Sequence, residues 1–198
     1  MKKNQKERVW TTEKYNKVAK KYDKKMKRIL PDTYRQMAAD CLTGNSVLDI
    51  ACGTGTFLQK AVRMGFSCTG MDLSPGMLEQ AKIKLPEVRL MTASYYEIPF
   101  HDDEFDNVVS TYALGGVHVE VPKVLAEMVR VCKPGGLIII LDWQKKEKEN
   151  ILDKVFNAAA KLSEDQPRDF VGELKKLGLE VECRNLSYVI SIIKSKVV

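Results

Sequence analysis

Apolar positions recur at helical intervals near the start of the chain. Tyr15, Val18, Ala19, Tyr22, Met26, Ile29 and Leu30 fall on one face, and lysines fill the other. The spacing predicts a helix over residues 11–30. Pro31 ends it, because proline disfavours helical geometry at the residue before it. A second helix is expected over 33–42, closed by Gly44. From Ser46 onward short apolar runs alternate with helical periodicity. Strands are expected at 46–50, 67–71, 88–91, 105–110 and 137–141. Helices are expected between them at 56–64, 75–85 and 121–132. Ser74 is the N-cap of the second of these, and Pro75 takes its favoured first position. Such alternation means a parallel sheet covered by helices on both faces. The ending differs. After a charged linker at 144–150 come helical stretches at 151–162 and 167–177. Residues 180–193 then read as two strands joined by a turn near 185–187, a hairpin that makes one strand antiparallel to the rest. The expected fold class is therefore α/β: a Rossmann-like three-layer sandwich with a mostly parallel seven-stranded sheet and a C-terminal antiparallel β-hairpin.

Charge, like periodicity, sets the N-terminal part of the chain apart. The net charge of +6 is uneven: residues 1–30 hold twelve Lys/Arg against three Asp/Glu, a local +9, and the remainder holds 20 against 23. Two parts are expected, a basic helical arm or lid at 1–44 and the main domain at 45–198. Basicity confined to the arm does not argue that the whole surface binds nucleic acid. The five cysteines are odd in number and form no C-x-x-C pair, and the only histidines are His101 and His118. No disulfide framework or metal site is expected, and a reducing cytoplasm is the simplest compartment. No run of 18 apolar residues exists, and the basic N-terminus is not followed by the apolar segment of a secretory signal.

The chemistry concentrates at two strand ends. Residues 47–56 read V-L-D-I-A-C-G-T-G-T, with small residues at 51, 53 and 55 between a strand and a helix. Glycine there permits a tight turn and lets a ligand touch the backbone, while the helix N-terminus offers free N–H groups. The bland alternative is a strand-to-helix turn with no ligand. At the end of the next strand, Asp72 in G-M-D-L-S can accept both hydrogen bonds of a ribose diol. Together the two signals indicate a nucleoside ligand. A dinucleotide fingerprint is not met, because position 58 is Leu where the third glycine belongs.

Four segments carry a family resemblance: D-I-A-C-G-T-G at 49–55, G-M-D-L-S-P-G-M-L-E-Q-A at 70–81, I-P-F-H-D-D-E-F-D-N-V-V-S-T-Y-A-L at 98–114 and R-V-C-K-P-G-G-L-I-I-I-L-D at 130–142. In order and spacing they resemble the class I S-adenosylmethionine-dependent methyltransferases. Within these, the similarity is to the methyltransferase type 11 and ubiquinone/menaquinone-biosynthesis-like group. The resemblance implies S-adenosylmethionine as cofactor and S-adenosylhomocysteine as product. It implies that Asp49, Ala51, Cys52, Gly53 and Gly55 form the loop under the methionine part, with Cys52 a small apolar filler rather than a nucleophile. It further places Asp72 on the ribose, Leu73 and Met77 near the adenine, and Ala93, Ser94 and Tyr95 at the adenine amino group. Thr111 borders the transferred methyl, and Tyr22, in A-K-K-Y-D, belongs to a segment that folds over the cofactor.

Three positions depart from the family pattern. Ala51 stands where many relatives have Gly, and Ser94 where an acidic residue is common. Gly115-Gly116 replaces a His-His pair, which removes a base and implies a flexible or open substrate mouth. His118 is the candidate base by position, its alternative being a surface-loop or helix-cap histidine. Tyr112 is the candidate substrate-pocket residue, or packing. The segment after the fourth strand lacks Asn/Asp-Pro-Pro-Tyr, and the chain lacks Pro-Cys, so adenine or glutamine N-methylation and ordinary cytosine C5 chemistry are disfavoured. The expected function is methyl transfer to a small-molecule or lipid acceptor by in-line displacement. The alternative is a catalytically silent cofactor-binding partner subunit. The arm at 1–30 reads as a lid with a solvated lysine face, or as a helix seeking an anionic membrane surface. Nucleic acid is disfavoured as a partner because no accessory binding module remains outside the fold.

Overall fold

The computed structural model describes residues 3–27, 30–146, 166–187 and 189–198. In chain order its elements are α1 (Lys3–Met26), α2 (Asp32–Ala39), β1 (Ser46–Ile50), α3 (Thr56–Arg63), β2 (Ser67–Asp72), α4 (Pro75–Lys84), β3 (Arg89–Thr92), β4 (Phe105–Thr111), α5 (Val121–Val131), β5 (Cys132–Trp143), α6 (Phe170–Lys176), β6 (Val181–Asn185) and β7 (Ile190–Lys196). The helix expected at 151–162, and residues 147–150 of the linker, lie outside the described residues. Among the described residues no helix is long and apolar enough to cross a membrane.

The seven strands form one sheet in the order β3-β2-β1-β4-β5-β7-β6. β7 runs antiparallel to both β5 and β6, and the other pairings are parallel. The order reverses between β1 and β4, and in an open α/β sheet the ligand crevice lies outside the carboxyl ends of the strands at that point.

Alternation along the buried strands sends successive side chains into two cores. Leu48, Ile50, Val108, Ile138 and Ile140 pack with Val124, Leu125 and Met128 of α5 and Phe170 and Leu174 of α6. Val47, Val109, Ile139 and Leu141 pack on the other face with Ala38 and Ala39 of α2 and Phe57 and Ala61 of α3. Asp49 is two residues from Val47, so it belongs to the α2/α3 face.

Several element ends differ from the periodicity reading. α1 begins at Lys3 rather than 11, because residues 3–10 are mostly polar helix formers that leave no apolar stripe to read. α2 stops at Ala39 because Cys41 and Leu42 turn back through i→i+3 bonds to Ala38 and Ala39. β5 starts five residues early, since the chain through Gly135, at φ 80°, bonds to Val197 of the neighbouring strand's end. α6 starts at Phe170 because the Asp169 carboxylate accepts the N–H of Gly172 at 2.9 Å.

Asp106 joins the start of β1 to β4. One carboxylate oxygen accepts from the N–H groups of Asn45 and Ser46 and from the Ser46 hydroxyl, all at 2.9 Å, and the other accepts from Lys133 Nζ at 2.7 Å. Lys133, with these backbone donors, holds the carboxyl far below the usual carboxylate range. Asp106→Ala is expected to cost about 1–3 kcal/mol at neutral pH. In the wild type this stabilisation is present above the ordinary value of 3.8 and is lost as pH falls through the depressed one. Urea midpoints of the two proteins should therefore converge in acid. A gap that does not change with pH would contradict this role.

Candidate functional site

The loop after β1 is built for close backbone approach. Ala51 (φ 53°), Gly53 (φ 55°) and Gly55 (φ 76°) all adopt the left-handed region. Only glycine enters it without steric cost, so Ala51 carries backbone strain at the position where the family pattern has Gly. A side chain at Gly53 would meet no atom within 4 Å, so the loop faces open space there rather than packed protein. The Cys52 thiol is buried, and burial pushes its pKa up, which disfavours the thiolate.

Two carboxylates stand behind this loop in different states. Asp72 ends β2 and is fully engaged with the backbone. Its Oδ2 accepts from the Gly53 N–H and its Oδ1 from the Ser74 N–H, both at 2.8 Å. Burial raises its pKa, and these N–H bonds pull it back. Each oxygen keeps a further lone pair for a ligand hydroxyl. Asp49 is 1% exposed, and neither of its oxygens has a hydrogen-bond partner among the described residues. Burial drives its pKa well up, the Asp72 charge adds to the rise, and Arg35 opposes it. An unpaired buried carboxylate costs free energy, and a cationic or hydrogen-bond-donating ligand would remove that cost.

The far wall comes from β4 and the loop after it. Thr111, the last residue of β4, is half-buried opposite Leu141. Tyr112 follows in the left-handed region at φ 56°, with its hydroxyl buried and unpartnered and the Arg35 guanidinium 4.8 Å from its ring centre. The loop beyond is tied to its neighbours by hydrogen bonds. Asp142 accepts from the Leu114 N–H at 2.8 Å, Gly115 O accepts from the Gln166 N–H at 2.9 Å, and Arg168 donates to Val119 O at 2.8 Å. Gly115 and Val119 are thus anchored on residues 166 and 168, at the two ends of the stretch that carries Gly115-Gly116. His118 is exposed, and its main-chain oxygen accepts from the Tyr96 hydroxyl at 3.4 Å.

The remaining predicted residues differ in burial and partners. Met77 is fully buried in the first turn of α4, whereas Leu73 is 44% exposed. Ala93 donates its N–H to Asp72 O at 3.2 Å, and the Ser94 hydroxyl accepts the Tyr96 N–H at 3.2 Å. Tyr95 is half-buried, packs edge-to-face on Tyr96, and has its pKa raised by burial. α1 lies over this side. Tyr22 packs edge-to-face on Tyr15. Asn16 Oδ1 accepts from the Ser74 hydroxyl at 2.6 Å and the Gly76 N–H at 2.9 Å. Asp23 accepts from the hydroxyls of Thr54 and Thr56 and pairs with Lys84 at 2.7 Å. Asn16, Asp23, Arg35 and Asp142 were missed in sequence reasoning. For Asp23 the signal lay in the A-K-K-Y-D segment itself, while Arg35 read only as an ordinary polar residue of a short helix.

The chain is similar to several known proteins. The family described as "Methyltransferase domain" matches residues 48–140. Demethylmenaquinone methyltransferase of Paenarthrobacter aurescens is 34% identical over 140 residues, covering 65% of this chain and 53% of that protein. The chain spans about half the length of the curated relatives it matches. Two solved structures share the fold. One is a chain of the Haloferax volcanii complex between the Trm112 methyltransferase activator and a methyltransferase, at TM-score 0.73 and 19% identity, covering 92% of this chain and 97% of that one. The other is geranyl diphosphate C-methyltransferase of Streptomyces coelicolor, solved with S-adenosylhomocysteine, at TM-score 0.68 and 15% identity, covering 85% and 78%.

Proposed function

We propose that this chain, which matches the methyltransferase domain family over residues 48–140, binds S-adenosylmethionine in the crevice between β1 and β4 and transfers the methyl group to a small-molecule or lipid-like acceptor. The observation that carries the reading is the buried, unpartnered Asp49 carboxylate beside a left-handed loop that opens at Gly53. A cation-bearing ligand whose chain crosses the loop satisfies both. When bound, S-adenosylmethionine supplies a methyl on a sulfonium, with a good leaving group.

The chain's own residues do the rest. Asp49 meets the positive end of the methionine part, and the backbone of Ala51, Cys52, Gly53 and Gly55 lies under it. Asp72 accepts from the ribose hydroxyls while holding the Gly53 N–H in place. Leu73, Met77, Ala93, Ser94 and Tyr95 flank the adenine, and Tyr22 on α1 covers it. Thr111 and Tyr112 border the reacting end. The bonds from residues 166 and 168 to Gly115 and Val119 fix the loop after β4 beside them, which favours alignment. An acceptor that must first lose a proton would find His118 on the loop after β4. A catalytically silent partner subunit gains no support from the relatives named demethylmenaquinone methyltransferase.

For the acceptor we infer a reduced quinone-like aromatic ring, supported by the relatives named demethylmenaquinone methyltransferase. The exposed lysines of α1 suit an anionic surface carrying such a molecule, and vesicle binding that an arm-deleted chain loses would test that role. Incubation with methyl-labelled S-adenosylmethionine and a chemically reduced demethylated naphthoquinone should give a labelled methylnaphthoquinol. Cofactor binding with no label in this acceptor or any other quinol would overturn the acceptor assignment.

A further inference from the structure

β6 ends the strand order on one side, and among the described residues no strand pairs with its outer edge. Glu182, Cys183, Arg184 and Asn185 of this strand are all exposed. Such an edge offers a row of backbone donors and acceptors to another chain. Which residues make the offer follows from the pairing with β7. Leu186 donates its N–H to Ile190 O at 2.9 Å. In the same register Arg184 stands across from Ile192 and Glu182 across from Lys194. Along an antiparallel strand, successive residues alternate in the side to which their backbone groups point. Glu182 and Arg184 therefore bond towards β7, as Leu186 does. Val181, Cys183 and Asn185 aim their N–H and C=O groups outward. Side chains alternate as well, so Glu182 and Arg184 share one face of the sheet and Cys183 lies on the other. Glu182 pairs within its own chain with Lys194 at 2.8 Å, yet its side chain stays 79% exposed. Ile192, across from Arg184, offers the guanidinium no charge.

We propose that β6 is a self-pairing edge: two copies of this chain join their β6 strands antiparallel about Cys183, and the sheet runs on across the dimer. Cys183 meets the partner's Cys183 on the two-fold axis, and Val181 meets the partner's Asn185. These are the residues whose backbone groups face outward, so each pair exchanges both of its N–H···O bonds. Glu182 then lies directly across from the partner's Arg184, and Arg184 from the partner's Glu182. Both pairs take the closely spaced, non-hydrogen-bonded positions where side chains interact most. The same charges disfavour the neighbouring registers. An axis at residue 182 sets Glu182 against the partner's Glu182, and an axis at 184 sets Arg184 against the partner's Arg184. Charges that only guard an edge need no such self-complementary order. Strands this short bury less surface than a permanent interface, so the dimer is reversible, with dissociation in roughly the micromolar range. β5 and β7 stand between β6 and β4, so the crevice at β1 and β4 stays outside the interface.

Sedimentation velocity on the full chain, over a concentration series, reads the dimer. The wild type should pass from monomer to dimer across roughly the micromolar range. Glu182→Arg and Arg184→Glu should each weaken dimerisation about tenfold or more, because each sets like charges against one another on both sides of the axis. An equimolar mixture of the two variants should recover a heterodimer within about threefold of the wild-type affinity, since one chain then carries two basic positions and the other two acidic ones. Cys183→Pro removes an outward N–H without breaking a bond to β7 and should abolish the dimer. Thermal melts establish that each variant is folded. A short bismaleimide should join two wild-type chains, and Cys183→Ser should lose that product. A wild-type chain that stays monomeric up to about millimolar concentration overturns the proposal and leaves the charges as edge protection. So does a dimer that these substitutions do not weaken, or a mixture of folded variants that does not associate.

Discussion

Asp49→Asn is expected to stabilise the ligand-free chain at neutral pH while removing most of its affinity for S-adenosylmethionine. The carboxylate is buried without a hydrogen-bond partner, so the native state favours its protonated form. In the unfolded chain the group ionises near its ordinary value of 3.8. Between that value and the raised native one, the native state holds more protons than the unfolded state, and stability falls as pH rises. Asn has no charge to lose. The variant should match the wild type in acid and exceed it towards neutral pH by about 1–2 kcal/mol. For a chain of this length that is roughly 2–8 °C in melting temperature. The same substitution removes a charged partner for the ligand and should weaken cofactor binding by about 2–3 kcal/mol, or ~30–150-fold. A stability gain that does not grow with pH would show that the native carboxyl is not strained by its burial. Unchanged affinity would remove Asp49 from the site.

Asp72→Ala should also weaken the cofactor, by about 1–3 kcal/mol, but for two combined reasons. The ribose loses a charged acceptor, and the Gly53 N–H loses the bond that fixes the loop. Stability should change differently from the Asp49 variant. Removing Asp72 strips two backbone N–H groups of their acceptor but relieves its repulsion of Asp49. The ligand-free chain is therefore expected to lose stability in acid, where Asp49 is protonated, and to recover part of it towards neutral pH. Titration of S-adenosylhomocysteine into the variant, beside melts at several pH values, checks both parts. Wild-type affinity would exclude Asp72 from the ribose role.

The contrast between these carboxylates shows what was legible beforehand. Their positions were: apolar runs of strand length, each closed by Asp49-Ile50-Ala51 or Met71-Asp72, place acidic groups at the ends of buried parallel strands. The hairpin that makes β7 antiparallel was legible for a similar reason, since no helix-length segment separates 181–185 from 190–196. The states of the two groups were not. Whether a carboxylate is saturated by backbone donors, as Asp72 is, or left bare, as Asp49 is, depends on loop conformations set by positive-φ residues across two strands. The contribution of α1 was half visible. Its apolar stripe predicted a packed helix, but the bonds from Asn16 and Asp23 to α4 and to the turn into α3 are long-range pairings with no periodic signature. Arg35 was hidden for the opposite reason. A polar residue in a short helix is ordinarily solvated, and only the packing of α2 on the sheet shows that this one is enclosed.

Calorimetric titration of the wild-type chain with S-adenosylmethionine tests the central claim most directly. One saturable site per chain is expected, with affinity reduced in both Asp49→Asn and Asp72→Ala while each variant remains folded. No saturable binding at millimolar cofactor to a folded wild-type chain would contradict the account.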